Sequence, residues 1–447
     1  MSSIKILEQQ LAMHQGEKTD IAQGIALSLS LKYAEEGQRE EAIILLNKYE
    51  SLLNKRNTEV LFDIAKIYEL TYNTNEAIKN YELALDYNDR EDLKSNIYKE
   101  LGLLWINKGD LDKAIDYTEK ALDIDKKITD DENLAVATCY NNLGLAFKEK
   151  GNLNKAIDYY EKALSVELKW LGEENSDVAI SYNNLGMAWK GKDNYSKAIF
   201  YIEKALTIGI KLFGEENPRV AIYFNNLGLA WKDKGDLDIA VEYFTKALTI
   251  DFNFYGEENP NVAIRYNNLG VVCNDKGDTN KAIFYLDKAL TIDKKILGEE
   301  NPNVAIRFSN LGIAWKNKGE LDKAIYYYKK ALEIDIKLFG EENPKVATRY
   351  TNLGIAWRNR DDLDKAINYL NMALAIDLDI LGEESSSVAR DYNNLGVAWN
   401  DYGDFEKAIY NYKKSYTIYL KLFGNDHKKT QNTKSNLEYL IEETKKR

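Results

Sequence analysis

The sequence predicts an all-α fold, an α-solenoid of antiparallel helix pairs, on three observations. The string Gly-Glu-Glu-Asn begins at Gly172, Gly214, Gly256, Gly298 and Gly340, with related strings at Gly382 and Gly424, each 42 residues after the last. A Leu-Gly pair keeps the same interval at Leu143-Gly144, Leu185-Gly186, Leu227-Gly228, Leu269-Gly270, Leu311-Gly312, Leu353-Gly354 and Leu395-Gly396. Between these marks apolar residues recur at three- and four-residue spacing, the pattern of one helix face. A single core would normally split into domains at 447 residues, whereas an array whose units touch only their neighbours has no such limit.

Each unit reads as helix A, a turn, helix B and a connector. In helix A, Tyr140, Leu143, Gly144 and Phe147 fall at i, i+3, i+4 and i+7, and Trp189, Trp231, Trp315, Trp357 and Trp399 repeat the ring of Phe147. Glu149-Lys150-Gly151-Asn152 is the turn. Ala156, Tyr160 and Ala163 mark helix B at i, i+4 and i+7. Gly144 and Ala156 are small where the helices should approach most closely, and large rings beside them fill the space. In the connector, Gly214 suits a left-handed residue closing a helix. Asn217 suits an N-cap and Pro218 the first helical position. The four prolines, Pro218, Pro260, Pro302 and Pro344, all stand at this one point.

Towards the N-terminus the pattern loosens. Ala42-Ile43, Ala77-Ile78 and Ala114-Ile115 occupy helix-B positions in three degenerate units near 20–54, 57–88 and 93–128, behind an N-terminal helical segment over 1–19. Seven regular units over 129–424 bring the total to ten. Residues 425–447 are expected to form a capping helix. Asn436 and Leu437 lie 42 residues after Asn394 and Leu395, Glu438 replaces the glycine, and no helix B follows. A polar terminal helix is what an array needs for solubility.

Composition excludes several classes. The formal net charge of -12 argues against nucleic-acid binding, which needs a basic surface. No stretch approaches the 18 consecutive apolar residues of a membrane helix, so no membrane partner is expected. Residues 1–15 lack the apolar core of a signal peptide, and Cys139 and Cys273 are too far apart for a disulfide framework or a CxxC metal site. A reducing, cytoplasmic setting follows. No cofactor, metal or catalytic residue is expected and the chain is not read as an enzyme. The paired connector glutamates have no nucleophile, metal ligand or histidine beside them, and His14 and His427 sit at opposite ends of the array.

Tyr182, Leu185, Gly186, Trp189, Ala198, Tyr201-Ile202 and Ala205 resemble the tetratricopeptide repeat (TPR) signature W-x2-L-G-x2-Y…A-x3-F…A. The 42-residue length, the G-x-x-x-P-x-V-A connector and the paired Asn before the Leu are similar to the kinesin-light-chain type, over about 130–424. The resemblance implies a right-handed superhelix with a concave groove lined by helix A. There are departures: Cys273 replaces a ring, Ser415 a helix-B alanine, and Ser309 and Thr351 the first Asn of a pair.

On a helical wheel at about 100° per residue, Ile180, Asn184 and Met187 lie opposite the face of helix A that meets helix B. Asn142, Asn184, Asn226, Asn268, Asn310, Asn352 and Asn394 recur in phase, preceded in several units by a second amide such as Asn183, Asn225 and Asn267. An Asn offers donor and acceptor together, which suits the main chain of an extended peptide. In kinesin-light-chain-type repeats such asparagines hold a bound peptide, and the resemblance implies the same here. A structural ladder, each Asn bonding to the adjoining repeat, is the alternative, and the two are not exclusive. Lys148, Lys190, Lys232, Lys316 and Arg358 flank helix A, with Arg265, Arg307 and Arg349 near its start. They suit an acidic or carboxylate-ended ligand, or merely a solvated helix end where Lys favours the dipole. Helix-B tyrosines such as Tyr159, Tyr160, Tyr201, Tyr327 and Tyr328 are read as packing.

The expected function is a protein–protein interaction scaffold that binds a peptide or partner protein in the groove. A peptide-sensing regulatory receptor acting on a separate effector is the alternative. Near-identical repeats allow a monomer or weak end-to-end self-association.

Overall fold

The computed structural model describes residues 3–14, 20–49, 53, 57–88, 90–129 and 133–446. Met1, Ser2, the expected boundaries near 19 and 54, and the start of the first regular unit at 130–132 lie outside the described residues. The described residues form twenty-two α-helices and no strand. The chain divides into two compact units, Met1–Glu215 and Glu216–Arg447.

The first unit holds α1 (Ser3–Met13), α2 (Asp20–Glu35), α3 (Arg39–Tyr49), α4 (Thr58–Leu70), α5 (Thr74–Asp86), α6 (Glu91–Lys108), α7 (Leu111–Ile128), α8 (Leu134–Glu149), α9 (Leu153–Leu171), α10 (Ser176–Gly191) and α11 (Tyr195–Phe213). The second holds α12 (Pro218–Lys234), α13 (Leu237–Tyr255), α14 (Pro260–Asp275), α15 (Thr279–Leu297), α16 (Pro302–Asn317), α17 (Leu321–Phe339), α18 (Pro344–Asn359), α19 (Leu363–Leu381), α20 (Ser386–Tyr402), α21 (Phe405–Phe423) and α22 (Lys428–Lys446). From α2 to α21 consecutive helices pack as hairpins, α2 on α3 through α20 on α21. Within each unit, helix B of one hairpin packs on helix A of the next, as α9 does on α10 and α15 on α16, and α22 packs on α21.

The small residues set the hairpin spacing. A methyl added at Gly144 would sit 2.6 Å from the Tyr160 ring, and one at Gly312 would sit 2.5 Å from that of Tyr328. Both rings are buried, as are Ala156 and Ala324 beside them. Tyr159, Tyr201 and Tyr327 pair with the helix-A rings of Tyr140, Tyr182 and Phe308 at 6.0–6.2 Å. Apart from the buried Trp357, the helix-A tryptophans Trp189, Trp231, Trp315 and Trp399 are only partly inside. Lys197, Lys323 and Lys407 of helix B lie 3.9–4.1 Å from the ring centroids of Trp189, Trp315 and Trp399, so a cation covers the face the core leaves open.

The connector differs from the sequence expectation in one respect. Gly172, Gly214, Gly256, Gly298, Gly340, Gly382 and Gly424 do have positive φ, 73° to 82°, but ψ is 158° to 176°. That is not the left-handed helical cap. It is an extended region open essentially to glycine alone, and it turns the chain from helix B directly into the next N-cap. Asn217, Asn259, Asn301 and Asn343 then accept from the backbone N–H two residues on, at 2.8–2.9 Å, with proline next in line. The connector glutamates are clasps. Glu174, Glu258, Glu300 and Glu384 pair with Lys211, Lys295, Lys337 and Lys421 at the end of helix B, exposed contacts of small energetic weight.

Candidate functional site

The hairpin packing brings A helices side by side: α8 meets α10, α14 meets α16, and α18 meets α20. The paired asparagines lie along these seams. Asn310 donates through Nδ2 to Oδ1 of Asn267 at 2.8 Å, and Asn268 donates likewise to Asn225 at 2.7 Å. Within each pair the first amide donates to the second, Asn267 to Asn268 at 3.4 Å and Asn225 to Asn226 at 3.3 Å. One chain of amides thus runs from α16 through α14 to α12. Asn225 and Asn267, like Asn183 of α10, are buried, whereas Asn184, Asn226, Asn268, Asn310, Asn352 and Asn394 are half-buried. Asn142 is buried as well, and its Nδ2 has no hydrogen-bond partner. An amide has two N–H groups and two acceptor lone pairs. Asn268, which donates once and accepts once, retains one of each.

Where the first Asn is replaced, the relay changes. Asn352 donates to Oγ of Ser309 at 3.2 Å, while Thr351 turns to Oδ1 of Asp391 at 3.1 Å. In the first unit Asn141 donates to Ser181 at 3.0 Å and to Glu167 at 2.8 Å. Beside the amides stand exposed isoleucines, Ile180 on α10 and Ile222, Ile264 and Ile306 on α12, α14 and α16. In the second unit, α12, α14 and α16 thus present an apolar row next to half-buried amides.

The arginines near the start of helix A are not ligand-facing charges. Arg265, Arg307 and Arg349 are buried and donate through Nε to Asp251, Asp293 and Asp335 of the preceding helix B, at 2.9, 2.9 and 2.8 Å. The helix-B register, fourteen residues earlier, supplies a buried partner that the wheel of helix A alone does not show. The basic flank at the other end is mixed. Lys232 pairs with Asp233 at 3.2 Å and Arg358 with Asp401 of α20 at 3.5 Å. Lys190 and Lys316 are half-buried. Burial pushes the Lys316 ammonium below its ordinary range, and the nearby Arg358 charge adds to the effect.

A family profile for the tetratricopeptide repeat matches residues 93–169, 151–208, 177–251, 232–295, 304–379 and 358–421. The chain belongs to the tetratricopeptide repeat family. No curated protein sequence matches this TPR chain. Among solved structures it is similar to BtubC (BKLC) from P. vanneervenii, at 26% identity over 52% of this chain and 92% of that one, with a TM-score of 0.45. The quorum sensor NprR from B. thuringiensis in its apo form matches at 16% identity over 80% and 98%, TM-score 0.57. Apo RapI matches at 16% over 63% and 98%, TM-score 0.50. The last two share the fold of this TPR protein.

Sequence reasoning missed the buried polar position between repeats. In addition to the Asp–Arg pairs, it holds Asp125 bonded to Lys99 at 2.7 Å, Glu167 beside Ser181, and the carboxylates Asp377 and Asp391. The signal was present: Asp251, Asp293 and Asp335 each lie fourteen residues before an arginine. Burial raises the Glu167 carboxyl to about 7 against the hydrogen bonds from Ser181 and Asn141, and leaves its Oε2 without a partner. No cluster of three metal-ligating side chains occurs among the described residues, and none of their helices is long and apolar enough to cross a membrane.

Proposed function

We propose that this TPR protein is a scaffold that binds an extended peptide segment of a partner protein along the helix-A face, by recognition and not by catalysis. The observation that carries the reading is the pairing of two parallel rows. Asn268 and Asn310 keep spare amide capacity, and Ile264 and Ile306 remain exposed beside them. An extended chain presents N–H and C=O groups to the amides and every second side chain to the isoleucines. The ladder bonds and the ligand bonds do not compete at Asn268 and Asn310, because each amide has capacity for both. Lys316 at the end of the face favours an acidic residue in the ligand, and the rest of the basic flank, Arg358 and Lys232 among it, is partly neutralised by its own carboxylates. A cytoplasmic setting fits the two buried free thiols, Cys139 and Cys273. The chain reads as ten helix pairs between α1 and the capping helix α22. A receptor acting on a separate effector would use the same face.

The test separates face from fold. Peptides are selected from a random library on the wild-type chain, and one binder is titrated against Ile264→Asp/Ile306→Asp. These exposed positions leave the melting temperature unchanged, and affinity falls at least tenfold. Equal affinity with an unchanged melting temperature refutes the helix-A site.

A further inference from the structure

The junction between α19 and α20 departs from its counterparts. At the α13/α14, α15/α16 and α17/α18 junctions one buried aspartate meets one buried arginine, and the charges cancel. At α19/α20 Asp377 keeps the aspartate's place, but Asp391 stands where the arginine would be. The arginine has moved back one residue to Arg390, the position that Ile264 and Ile306 hold in other repeats. Its Nη2 reaches Asp377 Oδ2 at 3.2 Å and Asp391 Oδ1 at 3.0 Å. The two carboxylate side chains are 2% and 0% exposed, and the Arg390 side chain is 37% exposed. Oδ1 of Asp377 and Oδ2 of Asp391 have no hydrogen-bond partner. From α18, Thr351 donates to Asp391. From α21, Tyr419 faces the cluster, its phenol raised by burial, with the Arg390 charge opposing and that of Asp391 adding.

Two carboxylates against one guanidinium leave a net negative charge in a buried site when both ionise. One proton held between them removes it. We propose that Asp377 and Asp391 form a proton-binding lock on the α19/α20 junction: the pair holds one proton while the last helix pair is packed on the array, and the junction loosens when that proton leaves. Burial raises both carboxyls, Asp391 to about 7, with Arg390 opposing. An acid whose folded pKa lies above its unfolded value of about 3.9 contributes stability that is complete below that value. The contribution is lost as pH rises through about 7. Helices α20 to α22 are therefore held more firmly at acidic than at alkaline pH.

Hydrogen exchange of the full chain, expressed as protection factors, tests this. Protection in α20 to α22 falls about tenfold from pH 6 to pH 8 in the wild type, the change expected for one proton released near pH 7, while α14 to α16 are unaffected. Arg390→Ile/Asp391→Arg restores the Ala-Ile-Arg run of the α13/α14 and α15/α16 junctions and flattens the profile. Asp391→Asn, which holds the site neutral, flattens it as well, and either variant suffices if the other does not fold. Equal protection at both pH values in the wild type overturns the proposal, as does a pH dependence that survives the substitution.

Discussion

Replacing Arg307 with leucine separates architecture from ligand contact. Arg307 is 5% exposed and Asp293 1%, and Nε donates to Oδ2 at 2.9 Å. Burial acts against both charges, raising the Asp293 carboxyl and lowering the Arg307 guanidinium, and their mutual attraction opposes it. Burial outweighs the attraction at each group, and neither half tolerates burial alone. Arg307→Leu leaves a carboxylate without its cation between α15 and α16, at a cost of about 3–5 kcal/mol. Asp293→Leu/Arg307→Leu removes both charges and recovers most of that loss. A repeat array opens in segments, so denaturant melts are read together with hydrogen exchange in α15 and α16. A single variant that costs less than about 1 kcal/mol, or a double variant as unstable as the single one, refutes the structural role. It would return these arginines to the list of ligand contacts.

Two further outcomes are expected. Gly312→Ala forces a methyl against the buried Tyr328 ring, 2.5 Å from Cε1, and lowers stability by about 1–3 kcal/mol, measured from the denaturant midpoint. Wild-type stability would show that the hairpin can widen. Glu167→Gln keeps an acceptor for Asn141 but cannot ionise. The wild-type carboxyl is raised to about 7, so its favourable contribution is present below its unfolded pKa of about 4.3 and lost as pH rises through 7. The variant is therefore more stable than wild type at pH 8, by about 3–4 kcal/mol, and the difference shrinks towards pH 4. A pH-independent difference contradicts the assignment.

An interaction is legible in the sequence when its partner lies within the same repeat. Helix pairing, the Leu-Gly register and the N-caps were legible because their partners lie within one repeat, a few residues to about twenty away. Gly312 and Tyr328 are sixteen residues apart, and the period itself marks both. The asparagines were legible as a recurrent row. A ladder to the adjoining repeat was one of two readings of that row; which amides meet, Asn268 with Asn225 and Asn310 with Asn267, was not legible, since it depends on how far each hairpin is rotated against the next. The same holds for Arg265, Arg307 and Arg349, whose position on helix A alone suggests an open flank.

The sequence by itself determined the helical periods, the 42-residue repeat and the punctuation of each connector, because local sterics and capping act over a few residues and repeat identically. Only the tertiary structure decided which polar groups face each other across repeats: amide with amide, arginine with aspartate, and at one junction two aspartates with a shared arginine. Stacking removes water from those groups, and a buried charge or amide is defined by the partner that replaces the water. That partner sits on another helix, chosen by packing.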